Sequence, residues 1–180
     1  MPLSVFARAW LAAALLTPAA ASAQTAVPPP PTHVACAAVD EAVPAPWTGW
    51  TAPDPLLGGA NSGAAGKLVV GHAYSAALSA SPAVTYAVPP GKPAAAGSFA
   101  GLFTLTVDTA GTYSIALSEG AWIDVAPAGG AALAPVSHGH GPDCTSIHKV
   151  VDFALQPGVY VVQVSAAPKS PVVIAVEARR

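Results

Sequence analysis

From Lys67 onward apolar residues recur at every second position in short runs, the pattern of strands with one buried face. In VTYAV, Val84, Tyr86 and Val88 share a face. In SFAGLFTLTV, Phe99, Phe103, Leu105 and Val107 share one, with Thr104 and Thr106 on the other. Tyr113, Ile115 and Leu117 alternate in GTYSIALS, as do Ile147, Val151, Phe153 and Leu155 in IHKVVDFAL; GVYVVQVSA and PVVIAVEA complete the set. Turn signals separate these runs at Pro89-Pro90-Gly91, Ala110-Gly111, Glu119-Gly120, Gly129-Gly130 and Pro157-Gly158. No stretch past residue 23 shows a helical period. The pattern predicts an all-β domain over 67–180, an antiparallel β-sandwich or jelly roll of about eight or nine strands.

The first 66 residues read differently. Residues 1–23 combine Arg8, an apolar run from Ala9 to Leu16 and the small-residue triplet Ala21-Ser22-Ala23, the layout of a cleaved secretory signal. Thr17-Pro18 interrupts the run before it reaches the roughly 20 residues of a membrane span, so no stable membrane anchor is expected. Residues 24–66 form a Pro/Gly-rich arm that opens with the polyproline tether QTAVPPPP. Trp47, Trp50, Leu56 and Leu57 are its candidate anchors onto the domain; a tryptophan pair can also stack on sugars.

Charge narrows the function classes. Seven basic and nine acidic side chains, with no basic cluster, argue against nucleic acid. Charged residues make up 9% of the chain, against about 25% in an average domain. A surface so poor in charge points to an envelope protein partner or to self-association.

The chemistry-bearing residues crowd into SHGHGPDCTSIHK. Two cysteines in an exported protein pair by default, so Cys36 and Cys144 are expected to form a disulfide. That bond gathers His33 with His138, His140 and His148 around one point, with Asp143 alongside, whereas His72 stands apart as an ordinary strand residue. Two readings stay open: a nitrogen-rich site for zinc or copper, or a polar loop stapled by the disulfide. Hydrolase chemistry is not indicated, because no G-x-S-x-G elbow is present. GGANSGAAGKL lacks the first glycine of a phosphate loop at Asn61 and has Leu68 for its Ser or Thr, so it reads as a flexible turn. Asp124 and Asp152 lack a second carboxylate at an interpretable spacing and read as solvated or locally paired.

Two resemblances add to this. Gly111-Thr112-Tyr113 and Pro157-Gly158-Val159-Tyr160 open strands as in the bacterial pre-peptidase C-terminal domain, which the C-terminal half resembles. That likeness implies a secreted β-sandwich with a binding or accessory role. The segments GAWIDV (120–125), HGHGPDC (138–144) and VDFAL (151–155) resemble a group of small exported bacterial proteins sometimes labelled homogentisate 1,2-dioxygenase. The label implies a cupin-type iron centre, for which His138, His140 and Asp143 would be the ligands. The glycines at 139 and 141 and Pro142 read as loop rather than cupin strand, and the pattern's glutamate and later histidine are missing.

The expectation is therefore a periplasmic or secreted, non-catalytic binding or accessory module, with a metal-dependent dioxygenase as its rival from another class and a purely structural envelope protein as a third reading.

Overall fold

The alternating runs become strands in the structure, a computed structural model that describes Cys36 and residues 38–179. The predicted leader, the polyproline tether and His33 lie outside the described residues. Eleven strands appear in chain order: β1 (Asp54–Leu57), β2 (Gly66–Leu68), β3 (His72–Ala77), β4 (Ser79–Ala80), β5 (Phe99–Val107), β6 (Gly111–Leu117), β7 (Trp122–Pro127), β8 (Ser137–Gly139), β9 (Lys149–Leu155), β10 (Gly158–Ala167) and β11 (Val172–Arg179). They form a six-stranded sheet ordered β1-β3-β11-β6-β9-β8 and a five-stranded sheet in which β2-β5-β10-β7 are consecutive and β4 also pairs with β5.

The two sheets face each other as a sandwich. Tyr113, Ile115 and Leu117 of β6 and Val151, Phe153 and Leu155 of β9 meet Phe103, Leu105 and Val107 of β5 and Val162 and Val164 of β10 in one core. These are the positions the two-residue period selects. Each fully buried aliphatic or aromatic side chain contributes about 1.5–3 kcal/mol relative to exposure. Next to the turn that follows, β10 carries an irregularity between Val164 and Ala167, where Ala166 takes a φ of 51°, the bend expected of a bulge.

Three departures from the sequence reading have physical causes. The sheets are mixed, not purely antiparallel: β1 runs parallel to β3 and β2 parallel to β5. The chain lays β1 in one sheet, β2 in the other, and returns to the first for β3. Strand structure therefore begins at Asp54, inside the stretch read as an irregular arm. VTYAV is not a strand, although Val84 and Val88 are buried as its alternation demands. Its backbone N–H groups find partners outside any ladder: Ala87 donates to the Gln163 side chain at 3.0 Å and Thr85 to the Ala60 carbonyl at 2.8 Å.

The arm packs on the outer face of the six-stranded sheet. Ala73, Ala116 and Ala175 leave room there for the indoles of Trp47 and Trp50, both buried, and Ile147 closes the cluster. Ile147 belongs to this outer layer, not to the central core with Val151. Leu57 is 76% exposed and anchors nothing, whereas His72 begins β3 as an ordinary, exposed strand residue.

Candidate functional site

Cys36 and Cys144 are joined, with Cα atoms 5.3 Å apart and 108 positions between them in sequence. The disulfide is one of several ties between the arm and the turn linking β8 to β9. Asp40 accepts from the Ser146 amide at 2.7 Å and from the Ser146 hydroxyl, and its own N–H donates to the Cys144 carbonyl at 2.9 Å. Trp50 Nε1 donates to Ser146 Oγ at 2.8 Å. Gly141 is required where it stands, because an added Cβ would lie 2.4 Å from the Ile147 carbonyl oxygen.

This clamp sets out the histidines. Ser137–Gly139 is a strand, which corrects the loop reading for His138 and Gly139 but not for residues 140–142, and His138 lies in register with Val151 of β9. Beyond the strand, His140 Nδ1 donates to the His148 carbonyl at 3.0 Å, and the two rings meet edge to face with centroids 5.7 Å apart. His138, His140 and His148 border one shallow depression with Gly120 and Lys149, while Asp143 is exposed. Among the described residues, no three His, Cys, Asp or Glu side chains are grouped so as to hold a metal ion. A facial triad needs two imidazoles and a carboxylate around one point. His138, His140 and Asp143 do not fit it.

A second feature lies beside the turn. The open side of the sandwich, between edge strand β7 of one sheet and β8–β9 of the other, holds a cleft of about 260 Å³. Its walls are Trp122, Ile123, Leu133, Pro135 and Val151; Asp124, His138 and Lys149 are its polar members. The connection from β7 to β8 is tied back to β7 by a bond from the Leu133 N–H to the Val125 carbonyl at 2.7 Å. Lys149 has the same strand parity as Val151, Phe153 and Leu155, which sends its stem inward at the mouth of the sandwich. Its Nζ donates to the Ala121 carbonyl at 2.9 Å and sits 5.1 Å from the Trp122 ring centroid, a cation–π contact. Burial holds this ammonium below the usual lysine range, the charge of Lys92 adds to that, and Asp124 opposes it.

Asp124 is itself buried and engaged. It accepts from Trp122 Nε1 at 2.8 Å, from the Gly91 amide at 3.2 Å and from Gln163 Nε2 at 3.3 Å. The network fixes the indole against the 89–91 turn, where a Cβ on Gly91 would lie 2.3 Å from Trp122 Nε1. Asp152 is likewise buried, bonded by Ser114 at 2.6 Å, by Ser137 and by Arg179 at 2.7 Å. Neither carboxylate is solvated: neutral N–H donors hold Asp124, and Asp152 is held by side chains distant in sequence, not by its neighbour Lys149.

The sequence reading singled out the imidazoles and missed the cleft. One signal could have found it: Lys149 is a charged residue at an inward position of a strand that is otherwise apolar on that face. No protein-family model matches this chain, and no curated protein matches it.

Proposed function

We propose that this chain is an exported, non-catalytic binding module whose ligand site is the cleft between β7 and β8–β9, with the imidazole turn as its rim. The observation that carries the reading is a preformed apolar concavity containing a half-buried ammonium, the combination expected of a small-molecule site. Export is supported by the leader-like pattern of residues 1–23 and by the disulfide, which persists in oxidising compartments. Among the described residues no helix is long and apolar enough to cross a membrane. Among the described residues, His140 and His148 offer two imidazoles without a grouped third donor, which favours a polar, disulfide-stapled rim over a metal centre.

The test is a saturation-transfer NMR screen of anionic, neutral and cationic fragments on the untagged exported protein, repeated on Leu133→Trp, which fills the cleft. Binding signals that vanish in the filled variant are expected. Absence of any fragment whose binding depends on the cleft would contradict the reading.

A further inference from the structure

Resting on that reading, we infer that the cleft selects an aliphatic carboxylate: a compact hydrocarbon body between Ile123, Leu133 and Val151, with its carboxylate on Lys149. Size is the first argument. About 260 Å³ lies just below the roughly 300–1,000 Å³ of sites for drug-sized ligands, so the occupant is a small molecule or one chain end. The walls deeper in are aliphatic, and the cleft's one indole already has the Lys149 ammonium against its ring. A hydrocarbon body therefore suits the remaining space better than a second stacked ring.

Charge is the second argument. The ammonium carries three N–H donors, of which one is spent on the Ala121 carbonyl. Among the described residues, the ion pairs are Lys169 with Glu119 and Arg179 with Asp152, so Lys149 has no carboxylate partner. Lys92 is near enough for its charge to act at the same place. The carboxylate of Asp124 opposes an incoming anion, but three N–H donors already hold it, and none of them is Lys149. Lys149 thus lines the cleft with two N–H donors left over, the group that an anion would complete.

Two sources supply this chemistry, a free short-chain acid and the C-terminal residue of a peptide. Calorimetric titration of the untagged protein with hexanoate, hexanamide, hexylamine and N-acetyl-leucine separates them. Hexanoate is expected to bind about tenfold or more tightly than hexanamide, the scale of one hydrogen bond to a charged group. Lys149→Met should remove that preference by weakening hexanoate far more than hexanamide, and Lys149→Arg should keep it, which separates loss of charge from loss of fold. N-acetyl-leucine binding more tightly than hexanoate would assign the carboxylate to a peptide end; weaker binding would assign it to a free acid. Hexanamide or hexylamine binding as well as hexanoate would overturn the carboxylate assignment while leaving a binding module in place. No binding by any of the four would overturn the inference as well.

Discussion

Asp152 is the most deeply buried acidic side chain of this fold, and three donors surround it. Burial alone would push its carboxyl up, but hydrogen bonds from Ser114 and Ser137 and the charge of Arg179 outweigh that and hold it below its ordinary 3.8. The unfolded chain then binds the proton more readily than the folded one. The stabilisation is present above pH 3.8 and is lost as pH falls through the depressed value. Asp152→Asn is expected to lower stability at pH 7 by about 1–3 kcal/mol, the cost of weakening charge-assisted bonds at a buried site, and to narrow the gap from wild type as the solution is acidified. Urea unfolding at pH 7 and near pH 3 checks both; an undiminished gap at the lower pH would contradict the assignment. Arg179 is largely exposed and contributes little of this. Sequence exposed only part of the residue scale. Asp152 read as solvated or locally paired and is neither, because Ser114, Ser137 and Arg179 reach it from three other parts of the chain.

Among the elements, the arm and the β8–β9 turn act as one unit. The disulfide closes a span of 108 positions, for which the chain-entropy account gives about 4–5 kcal/mol. Replacing both cysteines by serine is expected to cost that much in chemical denaturation, and the Asp40–Ser146 and Trp50–Ser146 bonds should keep the folded arm in place. A double variant as stable as wild type would show that these polar ties suffice alone. The pairing was readable from compartment and cysteine count. Asp40 was not, because nothing local marks a carboxylate that caps a turn 106 positions away. Strands β5, β6, β9 and β10 were legible because each has a clean period of two against the core. β1, β2, β4 and β8 were not, because two to four residues carry no period. Residues 84–88 showed the reverse: alternation without a ladder, since Gln163 satisfies the backbone that a neighbouring strand would have paired.

For the whole molecule, unequal sheets produce the site. Edge strand β7 and the short β8 leave one side of the sandwich open, and the 128–136 connection crosses it without filling it. The same opening admits the Lys149 stem to the core face while its ammonium stays at the surface, as amphipathic side chains permit. Apart from Trp122 at the cleft, the exposed large apolar residues among those described, Val39, Leu57, Val69, Val136 and Val159, belong to different segments, and isolated ones are ordinary on a monomer surface. Among the described residues the concavity is therefore the place where the proposed ligand fits best.

Residue-resolved NMR with hexanoate tests that claim most directly. Titration into isotope-labelled protein should shift the Trp122 indole N–H, which now donates to Asp124, together with the amides of Leu133 and Val151, and leave the Trp47 and Trp50 indoles still. Shifts centred on the tryptophan cluster of the arm, or spread evenly over the surface, would contradict the account.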